Sequence, residues 1–174
     1  MVDTTLLAAD GHVRPKSRWI DKSSGVHLVV DQYTKGLLVS KFQLMPLILL
    51  AAFALRLYRL GVAGLWYDET VSIVLAQKDL LALTRHTAGD IHPPLYYYLL
   101  HFWGRLAGWS EFSAAFLSLF FGVLLIALVY RVAREWYNHR VALIAALLVA
   151  ASPYNLGYSQ EVRMYTLGAT LGLA

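Results

Sequence analysis

Phe112-Ser-Ala-Ala-Phe-Leu-Ser-Leu-Phe-Phe-Gly-Val-Leu-Leu-Ile-Ala-Leu-Val-Tyr130 carries no charged side chain. A helix crossing the hydrocarbon core of a bilayer takes about 20 mostly apolar residues, and this run is long enough. The rest of the chain agrees with it. Of 174 residues, 58% are hydrophobic and 15% charged, with a mean hydropathy of +0.52, outside the balance of an ordinary soluble domain. The expected fold class is all-α, a polytopic transmembrane helical bundle.

Downstream of that run, Arg131, Arg134 and Arg140 follow at once. By the positive-inside rule this places an Arg131 to Arg140 loop on the cytoplasmic side. The spans are then expected at about 112–132 and 141–154, the second stopped by Ser152-Pro153, with the start of another at 164–174. A nine-residue helix crosses only about half the hydrocarbon core, so the chain reads as the front of a longer protein. Upstream, a first span is expected at 42–60, with an uncharged centre from Leu44 to Leu55. Arg56 and Arg59 near its end would snorkel to the far headgroups.

Between these spans lies an external loop, 61–111. Val71 to Leu83 reads as one short interfacial helix. Pro93-Pro94 suits a helix start, and Ile91 to Gly104, rich in aromatics, reads as a juxtamembrane helix at headgroup level. Counting Ile91 to Gly104 as a span would put the arginine cluster outside, and the arginines argue against that. Residues 1–41 are polar and basic, with Arg14, Lys16, Arg18, Lys22, Lys35 and Lys41 against four aspartates. They favour a cytoplasmic N-terminus, and Val26 to Val30 alternates as a strand would. The net charge of +4 forms no basic stripe with interleaved aromatics, so no nucleic-acid partner is expected. The absence of cysteine excludes disulfides and thiolate chemistry.

The residues with chemical potential fall in the loops. Asp68 and Glu69, in Gly64-Leu-Trp-Tyr-Asp-Glu-Thr70, stand behind aromatics just after the first apolar run. At a water interface they can ionise and still face lipid-borne molecules. Asp68 also reads as the N-cap of the helix through Val71 and Leu75. Glu161 and Arg163, in Tyr158-Ser-Gln-Glu-Val-Arg-Met-Tyr165, precede the last apolar segment, either as a local ion pair or as part of a cleft. His92 is more ordinary, a histidine before Pro-Pro with no ligand spacing to another histidine. Tyr67 and its aromatic neighbours suit either a sugar face or an interfacial belt.

Taken in order, Arg56-Leu-Tyr-Arg-Leu-Gly61, Leu65-Trp-Tyr-Asp-Glu-Thr70, His92-Pro-Pro-Leu-Tyr96 and Ser152-Pro153 with Tyr158 to Tyr165 resemble the N-terminal part of the GT-C membrane glycosyltransferases. The nearest group is the family 39 type, the relatives of dolichyl-phosphate-mannose protein mannosyltransferases and of the aminoarabinose lipid A transferase. The likeness covers roughly Leu44 to the C-terminus, and it implies an N-terminal module of that fold. It also implies a bacterial inner or plasma membrane enzyme that moves a sugar from a polyprenyl-phosphate donor to a protein, lipid or glycan acceptor at the extracytoplasmic face. Asp68 and Glu69 then fall on the catalytic motif, and Glu161, Arg163, His92 and Tyr67 on substrate binding. Some branches of the family carry an aspartate nearer Met164 and Tyr165, where this chain has none.

The chemistry such an enzyme needs is a base for the acceptor hydroxyl and positive charge for the departing phosphate. Asp68, partly buried at the interface, is the expected base, and Arg163 with His92 the phosphate contacts. Attack opposite the leaving group implies inversion at the anomeric carbon. Glu69 and Glu161 remain open between orienting the acceptor and holding a divalent cation. Family members run several hundred residues, so these residues alone are expected to be inactive. The competing reading is a non-catalytic membrane subunit or inactive fragment. A transporter segment fits less well, since no acid falls in the centre of a span.

Overall fold

The computed structural model describes residues 44–90 and 92–174. The basic segment 1–41, with the strand considered at Val26 to Val30, lies outside the described residues. Among those residues the structure has eight helices and no strand. They are α1 (Leu44–Leu57), α2 (Tyr67–Gln77), α3 (Leu80–Ala88), α4 (Leu95–Ala107), α5 (Glu111–Trp136), α6 (His139–Ala151), α7 (Pro153–Tyr158) and α8 (Tyr165–Leu173).

Helix α5 is the axis on which the others pack. Its 26 residues rise about 39 Å, and it is the one helix among the described residues long and apolar enough to cross a membrane. It runs further than the apolar run indicated. Arg131 and Arg134 are helical, and only Tyr137 and Asn138 link α5 to α6, so the expected Arg131 to Arg140 loop is a two-residue turn. Arginine is a good helix former, so the end of the apolar run does not end the helix. What starts the next one is Asn138, whose side chain accepts the backbone N–H groups of Arg140 and Val141 at 3.0 and 3.1 Å.

Helix α6 returns along α5 through a face of small side chains. Ala142, Ala146 and Ala150 are all buried, and their four-residue spacing lets the two helices approach closely. On the same side, Ile48 and Ala52 of α1 pack with Ile126, Ala146 and Ala150. Helix α8 lies parallel to α5, since Thr166 Oγ1 donates to the Ser118 carbonyl and Thr170 Oγ1 to that of Phe121, each at 3.0 Å. Thus α1 and α6 run toward the N-terminal end of α5, and α5 and α8 run away from it. Large apolar side chains stay exposed on the outward faces, including Leu47 and Leu50 of α1, Phe120 of α5, Leu147 and Leu148 of α6 and Leu171 of α8.

Helices α2, α3 and α4 gather at the end where α5 begins. The single helix expected over Val71 to Leu83 is two, because Asp79 Oδ1 accepts the N–H of Ala82 at 2.9 Å and caps a new helix after Lys78. Nor is Asp68 an N-cap. Trp66 holds that position, with Asp68 and Glu69 in the first turn of α2, where acids complement the helix dipole. After Pro93-Pro94, α4 is tied to α2 by His101 Nδ1 and the Ala76 carbonyl (2.7 Å), and to α5 by Trp103 Nε1 donating to the Ser113 carbonyl (2.8 Å). The chain leaving α1 passes so close to α5 that a Cβ on Gly61 would sit 2.9 Å from the Phe112 nitrogen, and Gly61 has φ +73°.

Candidate active site

Two loops distant in sequence close on each other at this end of the bundle. The first is the chain from α1 to α2, the second the stretch from α7 to α8. Glu69 joins them. Its Oε2 accepts the backbone N–H of Trp66 at 2.8 Å, the back-bond of a capping box. Its Oε1 accepts the backbone N–H of Val162 at 2.7 Å, across 93 residues of sequence. The residue is only 5% exposed, so a buried carboxylate is compensated by two N–H donors, one from each loop.

That junction brings the next side chains together. Arg163 Nη1 donates to the Asp68 carbonyl at 3.4 Å, and its Nη2 stands 3.9 Å from Asp68 Oδ2. The Arg163 guanidinium also lies over the Tyr165 ring, 5.6 Å from its centroid. The side chain of Arg163 is nearly buried, whereas that of Asp68 is 68% exposed, so the partial burial expected of Asp68 is absent. Its carboxylate faces open space with one weak ionic partner.

A cavity of about 260 Å3 collects Trp66, Asp68, Glu69, Glu161, Arg163 and Tyr165 around it. A neighbouring cavity of about 170 Å3 shares Trp66, Glu69 and Glu161 as a wall and extends to Arg59 and Glu111. Four of the six residues singled out from sequence thus line one space: Asp68, Glu69, Glu161 and Arg163. The other two do not line it. Tyr67, on the first turn of α2, is highly exposed, and His92 Nδ1 pairs with Asp90, 3.2 Å from each carboxylate oxygen. Trp66 is among the aromatics that the sequence offered for a sugar face or an interfacial belt, whereas Tyr165 had no role of its own. Both stood inside the quoted motifs, and for Tyr165 the only signal was adjacency. Among the described residues no group of three or more His, Asp or Glu side chains is placed to hold a metal ion.

Glu161 is half-buried beside this wall. Loss of hydration and the nearby Glu69 carboxylate push its carboxyl above the usual range, against the pull of Arg163. The folded protein therefore binds that proton more tightly than the unfolded chain. Stability falls as pH rises from the ordinary glutamate range through the raised value. Glu161→Gln is expected to raise Tm at neutral pH and to leave it unchanged in acid below that range, as thermal melts at a series of pH values would show. An equal rise at all pH values would mean that packing, and not the charge, is responsible.

Comparison with known proteins fits this geometry. Residues 91–171 match the family model described as dolichyl-phosphate-mannose-protein mannosyltransferase, a likeness that points to glycosyltransferase chemistry in general. Over that stretch, just under half of the chain, it is similar to that mannosyltransferase family. No curated protein and no solved structure gives a significant match. The matched stretch holds Glu161 and Arg163 but begins after Asp68 and Glu69. These two are linked to it by the contacts from Glu69 to Val162 and from Asp68 to Arg163.

Proposed function

We propose that the chain forms part of a polytopic membrane glycosyltransferase that takes a sugar from a polyprenyl-phosphate donor at the extracytoplasmic face, with inversion. The observation that supports this best is the meeting of the two loops, with a carboxylate and a guanidinium 3.9 Å apart on the wall of one cavity. The outward apolar faces of α1, α5, α6 and α8 suit a lipid surround, and their alternating directions suit successive crossings. The cavity would then open at one headgroup level.

In this reading Asp68 is the base. Its carboxylate is held loosely by Arg163 and otherwise accessible, so an acceptor hydroxyl can approach it. The hydroxyl oxygen attacks the anomeric carbon while its proton passes to Asp68. The bond from that carbon to the phosphate oxygen breaks on the opposite face, and the electron pair leaves with polyprenyl phosphate. A phosphate drawn to Arg163 competes with Asp68 for the guanidinium, so donor binding itself would loosen the base. Glu69, with both oxygens engaged by backbone N–H groups, holds the loops and takes no proton. Glu161 and Trp66 flank the sugar or the acceptor.

The test is the protein expressed from the complete reading frame that contains this chain, in liposomes, with sugar-labelled polyprenyl-phosphate mannose or aminoarabinose. Transfer of label with matching release of polyprenyl phosphate, and an inverted anomer in the product, is the expected result. A protein that consumes only nucleotide sugars, or that neither binds nor consumes these donors, would overturn the reading.

A further inference from the structure

The first helix carries an arginine that the sequence placed at the headgroups and the structure turns inward. Arg56 is fully buried. Its Nε donates to Ser159 Oγ at 3.2 Å, and its Nη1 to the carbonyls of Ala52 (3.1 Å) and Ala150 (3.3 Å). Nη2 donates to Asn155 Oδ1. None of these acceptors is a carboxylate, so among the described residues a buried cation is compensated by neutral dipoles.

The break between α6 and α7 explains why those dipoles are there. Pro153 has no N–H, and α6 stops at Ala151, leaving carbonyls of its last turn without helical partners. The Ala150 carbonyl is one of them, at the negative end of the helix dipole, and Arg56 takes it. The second loop returns the contact. Gln160 Nε2 donates to the carbonyls of Arg56 and Tyr58, at 2.9 and 3.0 Å, where α1 ends. Each broken helix end is therefore capped by a side chain of the other segment. Helix α5 makes room for this with Gly122, where a Cβ would stand 2.0 Å from Ser159 Oγ. One residue past Gln160 comes Glu161, then Val162 on Glu69, then Arg163 on Asp68.

We propose that Arg56 is a positioning residue for the transferase site, fixing α7 and the loop after it so that Arg163 is presented beside Asp68. This rests on the function proposed above. Four acceptors spread around a planar guanidinium demand a fork of donors that a lysine ammonium does not reproduce.

The chain has no cysteine, so a nitroxide pair on Val74→Cys (α2) and Tyr154→Cys (α7), both exposed sites, reports the separation of the two segments by pulsed electron resonance. Activity is measured without labels, in the complete reading frame in liposomes with polyprenyl-phosphate mannose or aminoarabinose. Arg56→Lys is expected to broaden or displace the distance distribution. It should also lower kcat on the order of 10²-fold, the usual cost of a misplacement near 1 Å. The double variant Asn155→Ala, Ser159→Ala keeps Arg56 but removes two of its acceptors. It should do the same, and it carries the test if Arg56→Lys does not fold. Asp68→Asn should lose activity with the distribution unchanged. An unchanged distribution in the Arg56 and acceptor variants, or a broadened one with full kcat, would overturn the proposal. If the unsubstituted protein transfers no sugar, the transferase reading fails, and the distance distributions still decide whether Arg56 holds the loop.

Discussion

Asp68→Asn should abolish sugar transfer while leaving the protein as stable as before. Removing a general base costs about 10²- to 10⁴-fold in rate. The amide keeps the shape of the side chain and the backbone carbonyl that Arg163 contacts. What is lost is one exposed ionic contact at 3.9 Å, of a kind that contributes about 0–1 kcal/mol. Steady-state kinetics and a thermal melt on the same preparation check both halves. Normal turnover by the variant would remove Asp68 from the chemistry. A large fall in Tm would mean that the ion pair organises the loops after all.

Glu69→Gln should behave in the opposite way, with stability and activity falling together. Both carboxylate oxygens accept backbone N–H groups, a part-buried one from Trp66 and a buried one from Val162. An amide offers one acceptor oxygen and turns its NH2 toward an N–H. One buried donor is then left unpaired, at a cost of about 1–3 kcal/mol. Because the Val162 bond is what brings the second loop to the first, Arg163 should drift from Asp68 and transfer should fall with it. If instead Glu69→Gln melts like the parent and still loses transfer, the catalytic assignment the sequence suggested for Glu69 is restored and the geometric one fails.

The contrast between these neighbours shows where sequence reading stops. The apolar run from Phe112 to Tyr130 announces α5 because hydrophobicity and length are local properties, and Pro93-Pro94 and Ser152-Pro153 mark helix boundaries for the same reason. That Asp68 and Arg163 line one cavity accords with the likeness of short motifs that grouped them. Which acid of the adjacent pair is buried did not, since it depends on where the Val162 N–H points, 93 residues away. Arg56 is the same case. An arginine near the end of an apolar helix can run out to the headgroups or turn inward, and Asn155 and Ser159 decide which. The partner His92 takes was legible, since Asp90 stands two residues earlier.

The bonds that close the two loops have a consequence for how the protein is made. They span from 93 to 104 positions of sequence, and the residues between them form α2 to α7. When the ribosome has released Asp68 and Glu69, their partners in the second loop, Val162 and Arg163, do not yet exist. Chains emerge at about 5–20 residues per second, and distant contacts form only after the intervening segments are in place. The α5 and α6 hairpin is therefore made first, with Glu69 and Arg56 holding only their local contacts to Trp66 and Ala52. For several seconds of synthesis the nascent protein would hold a carboxylate and a guanidinium without the distant half of their native partners.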